Sequence, residues 1–136
     1  MDNPIINHWA VLAAAASNLL LGALWYSPAL FYRAWMKANH FTEEEVKANF
    51  TPLKTYGLTF ILSLIICYNM AMFLGDAHTD LAWGATAGFL AGFGFSALIF
   101  AVIALFENRP WSYMLINGGY ITLYFTLVGT IIGAWR

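Results

Sequence analysis

Apolar residues fall into four stretches along this chain, about Trp9–Tyr26, Tyr56–Leu74, Leu81–Phe106 and Trp111–Trp135, with polar residues gathered between them. A bilayer core about 30 Å thick takes roughly 20 helical residues, so each stretch is long enough to cross it. Lipid offers the backbone no hydrogen-bond partner, and a spanning segment satisfies itself as a helix. The pattern predicts an all-α fold: an integral membrane four-helix bundle, one transmembrane domain over residues 1–136. The third stretch, at roughly 39 Å of helix, exceeds the membrane core and is expected to tilt or to run past the surface.

The one sizeable polar region is the loop Ser27–Thr55. Ser27-Pro28 reads as an N-cap followed by proline at the first helical position. Leu30, Phe31, Ala34, Trp35 and Ala38 then recur at helical spacing opposite Arg33 and Lys37, which predicts a short amphipathic helix on the membrane surface. Thr42 and Glu45 have capping-box spacing and predict a second short helix ending before Pro52. Gly75–Asp80 and Glu107–Pro110 are tight turns, with Gly75 suited to a helix C-terminus and Asp80 to an N-cap. Turns this short make their flanking helices antiparallel neighbours.

Composition agrees with this frame. Hydrophobic residues make up 61% and charged residues 10% of the chain, against about 25% charged in soluble domains. A net charge of −1 gives no basic patch for nucleic acid. The lone Cys67 excludes a paired-cysteine oxidoreductase, and the scattered His8, His40 and His78 lack metal-ligand spacing, so neither metal nor cofactor is expected. Met1–His8 has no Lys or Arg, and the first stretch ends in Trp25-Tyr26, which reads as a first span and not as a cleaved leader.

Arg33, Lys37, Lys47 and Lys54 lie between the first two spans and Arg109 between the last two, against Arg136 alone on the other side. Basic residues collect in cytoplasmic loops, which predicts a cell inner membrane protein with both termini extracytoplasmic. Trp9, Trp83 and Trp135 then fall at the outer boundary and Trp25, Trp35 and Trp111 at the inner one, where indole rings prefer to sit.

Small residues recur at four-residue intervals: Gly84, Gly88, Gly92 and Ser96 in the third span, Gly129 and Gly133 in the fourth, and Ala10, Ala14, Asn18 and Gly22 in the first. Such faces bring helix backbones together, either inside one bundle or between copies in a homo-oligomer. No acidic or basic residue falls at the midplane, which argues against a proton-coupled carrier built on a buried carboxylate. Glu107 and Arg109 at the end of the third span read as a turn-stabilising ion pair or as a gate. Asn69, Asn18 and Asn117 occupy three depths. Asn117, Tyr120 and Tyr124 share a helix face, which makes Asn18, Asn69, Asn117, Tyr120 and Tyr124 a candidate polar path. Interhelical hydrogen bonding is the alternative role of these groups.

The segment Trp25-Tyr26-Ser27-Pro28-Ala29-Leu30-Phe31 with Trp35-Met36, and the later Leu105-Phe106-Glu107-Asn108-Arg109-Pro110-Trp111 with Ile116-Asn117-Gly118-Gly119-Tyr120, together resemble family 1761 of the domains of unknown function, over nearly the whole chain. The resemblance implies a small four-span membrane protein and carries no activity or catalytic residue. It draws attention to the inner-face positions Ser27, Pro28, Trp35, Glu107, Asn108, Arg109, Pro110 and Trp111.

Two functions follow as expectations. One is a small oligomeric channel or carrier for a small solute, resting on the polar path and the glycine faces. The other is a membrane scaffold that binds a partner or lipid through the cytoplasmic loop. Lipid chemistry by Glu107, His40 or a tyrosine is a third class, without a visible nucleophile–base pair. Membrane lipids are the expected partners; a small-molecule ligand has no sequence signature.

Overall fold

The computed structural model describes residues 3–136, and no strand occurs among them. The leader reading of Met1–His8 includes Met1 and Asp2, which lie outside the described residues. The helices are α1 (His8–Trp25), α2 (Tyr32–Asn39), α3 (Glu43–Asn49), α4 (Pro52–Phe73), α5 (Leu81–Phe89), α6 (Leu98–Phe106) and α7 (Trp111–Ala134). A π-helical segment, Leu90–Ala97, joins α5 to α6 without a break. Four helices are long and apolar enough to cross a membrane: His8–Trp25, Pro52–Phe73, Leu81–Phe106 and Trp111–Ala134. The second begins a turn earlier than the hydropathy pattern alone suggests, because Pro52 at its N-terminus starts the helix ahead of the apolar run.

Helix α7 is the hub, with α1 along one side and α5 and the π-helical segment along another. The third and fourth spans meet through their glycines. A methyl group on Gly84 would collide with the Gly129 carbonyl oxygen, and one on Gly129 with the Gly84 carbonyl oxygen. Gly88 faces the Phe125 carbonyl, Gly133 the Asp80 carbonyl, and Gly92 the Phe125 side chain. Lipid supplies no hydrophobic drive between helices, so this backbone-to-backbone approach is what holds the two spans together. Both glycine faces are therefore spent inside one chain. The π-helical segment carries no sequence signature. There Ser96 Oγ donates to the Ala91 carbonyl, five residues back, at 3.0 Å.

The other half of the core joins α1, α4 and α7. Val11, Ala14 and Ala15 pack with Cys67, Met70 and Ala71 and with Val128 and Ile132. These residues lie toward the end of the bundle that carries both described chain ends and the turn Gly75–Asp80. That end is tied shut. Arg136 donates to the Leu74 carbonyl at 2.6 Å and to the Asp76 carbonyl, Asn7 Nδ2 donates to the Arg136 carbonyl at 3.3 Å, and the Ile5 N–H donates to the Gly75 carbonyl at 2.8 Å. Gly75 has no positive φ; glycine is needed there because Pro4 would lie 2.6 Å from a methyl group. Arg136→Ala is expected to cost about 1–2 kcal/mol, read as a lower unfolding temperature and faster amide exchange around Leu74–Asp76.

Two side-chain arrangements in this turn match their spacing. Asp80 Oδ1 caps α5 by accepting from the Trp83 N–H at 2.8 Å. Asp76 accepts from the Thr79 hydroxyl at 2.7 Å and the His78 N–H at 2.8 Å. These bonds favour the ionised carboxylate and hold Asp76 below its ordinary value, the Thr79 bond most strongly. A lowered folded-state value means that the contribution is complete above the unfolded value of about 3.9 and fades as pH falls through the folded one. Thr79→Val is expected to lower stability above about pH 5 and to flatten its fall between about pH 5 and pH 2, checked by unfolding temperature over that range.

The opposite end carries the loop helices. Ser27 does not cap a helix, in contrast to the sequence reading. Its hydroxyl donates to the Leu24 carbonyl at 2.6 Å and closes α1, while Ser27–Phe31 forms turns and α2 starts only at Tyr32. Ser27 thus sits too close behind α1 to open a new helix. Ala34 is exposed, whereas Trp35, Met36 and Ala38 turn inward. Thr42 Oγ1 caps α3 by accepting from the Glu45 N–H at 3.2 Å.

Candidate functional site

The loop end is open where the terminal end is packed. Ser63, Cys67, Met70 and Ala71 bury the terminal half of α4, but Pro52–Leu58 is exposed. The loop half of α4 is therefore left uncovered, while α2 packs on α7, and residues of α1, α2, α3, α4 and α7 surround one space. A cavity of about 610 Å³ remains. Its walls are aromatic, including Tyr26, Tyr32, Trp35, Phe50, Tyr56 and Tyr120. Gly22 makes room for one of these rings, since a methyl group there would sit 3.1 Å from the Tyr120 hydroxyl. The charged side chain at the rim, Lys47, lies 3.4 Å from Glu43, and both are well exposed.

Asn18 forms the inner end of this cavity and is fully buried. Its Nδ2 faces the Cys67 sulfur at 3.8 Å, and its Oδ1 has no partner. A buried polar atom without a partner costs about 1–3 kcal/mol, and more in lipid.

Beside it, the buried Tyr124 donates its hydroxyl to Ser63 Oγ at 2.8 Å. Ser63 and Cys67 are one turn apart on α4, so both reach the same level of the core. Ser63 and Tyr124 also floor a second opening of about 260 Å³, a cleft between α4 and α7 walled by Leu62, Ile66, Ile121 and Phe125. Thr59 and Tyr120 border both the cavity and the cleft.

The structure gathers part of the sequence-derived polar path. Asn117 lies near the loop end with both amide atoms engaged, accepting from the Tyr26 hydroxyl at 2.6 Å and donating to the Tyr113 carbonyl at 3.0 Å. Tyr120 stacks edge-on against Tyr26 and Tyr124 at 5.3 and 5.7 Å. Asn69 is separate: it is exposed on the outer face of α4, while its neighbour Tyr68 meets His8 Nδ1 at 2.8 Å.

Among the positions expected at the inner face, Trp35 lines the cavity, Ser27, Pro28, Glu107, Asn108 and Arg109 lie in turns, and Pro110 and Trp111 start α7. Asn108 takes the left-handed conformation, φ 59°, that lets the Arg109 N–H reach back to the Ala104 carbonyl at 2.9 Å. Arg109 pairs with Glu107 at 3.5 Å and lies over the Tyr113 ring at 4.8 Å. Pro110 caps α7, and Pro28 and Trp111 are exposed.

The sequence reading gave no site role to Ser63, Tyr32 or Tyr56, and met Tyr26 only within the family motif. Ser63 and Cys67 at helical spacing inside an aliphatic run were a usable signal; the tyrosines, scattered over three elements, were not. Among the described residues no three His, Cys, Asp or Glu side chains are grouped as metal ligands would be.

No curated protein and no solved structure matches this chain. A family model matches residues 9–133, nearly its whole length, and the chain belongs to the family described as "Protein of unknown function (DUF1761)".

Proposed function

We propose that this multi-pass membrane protein binds an amphipathic molecule of the bilayer in its loop-end cavity. The observation that carries the reading is Asn18, a fully buried amide with one atom unpaired at the inner end of an aromatic-walled cavity. Apolar walls with a few convergent polar groups are the usual form of a small-molecule site, and the volume lies within the usual range of about 300–1,000 Å³.

A carrier is the second reading, favoured by the one-sidedness of the cavity. It stops at Asn18, and the fully buried Val11, Cys67 and Val128 close the core beyond it. A cavity open at one end is what one half of an alternating-access cycle presents.

Bulk at Ala23 tests the binding reading. Ala23 is exposed and lines the cavity, so Ala23→Trp can fill the space without entering the core. Purified protein is expected to retain co-purifying amphipaths, detected by native mass spectrometry, and the variant to lose them at unchanged unfolding temperature. Retention by the variant at wild-type levels would remove the cavity from consideration.

The Lys and Arg distribution supports a cytoplasmic loop end. A reporter fused after Arg136 is expected to be active if it requires the extracytoplasmic side and silent if it requires the cytoplasm. The reverse pattern would turn the molecule over.

A further inference from the structure

The cavity and the α4–α7 cleft meet at Thr59 and Tyr120, yet differ in chemistry. Tyrosine hydroxyls, threonines and the Asn18 amide serve the cavity, which opens at the loop end. The cleft is aliphatic and aromatic above the Ser63–Tyr124 pair, and it opens sideways through the outer surface of two spanning helices, with Leu62 exposed at its lip. A lipid whose head occupied the cavity could leave its chain in the cleft and in the surrounding bilayer. The head would then exchange water for protein hydroxyls and amides, and the chain would leave hydrocarbon only in part.

The head must be uncharged. Lys47, the charged side chain among the lining residues, is ion-paired and solvated at the rim, and Asn18 supplies no counter-charge at the inner end. A phosphate or carboxylate there would lose its hydration without gaining a cation. Hydroxyl groups, each both donor and acceptor, satisfy the unpaired Asn18 atom whichever way the amide is turned.

Resting on the cavity-binding reading, we propose that the ligand is a neutral polyol-headed lipid of the monoacylglycerol class, with its glycerol head in the cavity and its acyl chain in the α4–α7 cleft.

The test titrates the full-length protein, in a detergent free of lipid, with monooleoylglycerol and separately with its anionic counterpart, monooleoyl lysophosphatidylglycerol. Unfolding temperature and native mass spectrometry report binding. Monooleoylglycerol is expected to bind one-to-one and more tightly than the anionic lipid. Leu62→Trp, at an exposed position on the lip of the cleft, is expected to weaken it about tenfold or more by blocking the chain. The unliganded unfolding temperature of Leu62→Trp should match wild type, because the side chain is exposed.

Binding lost in Ala23→Trp but unchanged in Leu62→Trp would overturn the chain placement and leave the cavity reading standing. Tighter binding of the anionic lipid would overturn the head assignment. Binding of neither lipid, with no other amphipath retained by the wild-type protein, would overturn both this inference and the reading beneath it.

Discussion

Replacing Gly88 with leucine is expected to destroy the pairing of the third and fourth spans. Even a single methyl group at Gly88 would run into the Phe125 carbonyl and lie 3.0 Å from the Thr126 Cα, and these are backbone atoms that cannot rotate away. The helices must then separate, and the close approach that holds them in lipid is lost with them. A cost above about 3 kcal/mol is expected, beyond the usual range for overpacking because no side chain can yield. Unfolding in mild detergent measures it, with Gly94→Leu as the control. Gly94 sits on the same span with open space around its Cα, and its substitution should leave stability unchanged. Wild-type stability in Gly88→Leu would show that the two spans do not rely on this contact.

Asn18→Leu is expected to act in opposite directions on two measurements. The substitution removes an amide that has one weak partner and one unpaired atom, replacing it with an apolar side chain beside an existing cavity. Replacing an unsatisfied buried group by an apolar one is neutral or stabilising, so a gain of about 1 kcal/mol is expected. Ligand affinity should fall about tenfold or more, because the hydrogen-bonding group at the inner end of the cavity is gone. Such a trade is the mark of a residue kept for function at the expense of stability. A destabilised variant with full ligand binding would instead make Asn18 a structural residue.

What could be read from the sequence divides along physical lines. Spans, turns and caps depend on neighbours in the chain, and hydropathy, Asp80 and Thr42 carried them. The capping role expected of Ser27 failed because two structures compete for one serine, and the carbonyl of the preceding helix won. The glycine faces were legible as sites of close approach, but spacing alone does not name the partner helix. For the site, Asn18, Asn117, Tyr120 and Tyr124 stood out because polar groups in apolar runs need partners. Asn69 stood out equally and faces outward, since depth along a helix says nothing about its rotation. Ser63 looked ordinary in one dimension. Its meaning comes from Tyr124, 61 residues away.

The glycine seam also bears on the order in which the molecule can assemble. Its two helices are consecutive in the chain and separated by a turn of a few residues, so they can zip together as soon as the last span leaves the insertion machinery. Helix α1 is in the opposite position: it precedes α4, and its second partner α7 follows every other described helix. Until α7 is made, Asn18 has only α4 beside it, through Cys67. The newborn first span thus waits half covered, the remaining side of its buried amide facing the translocon or lipid.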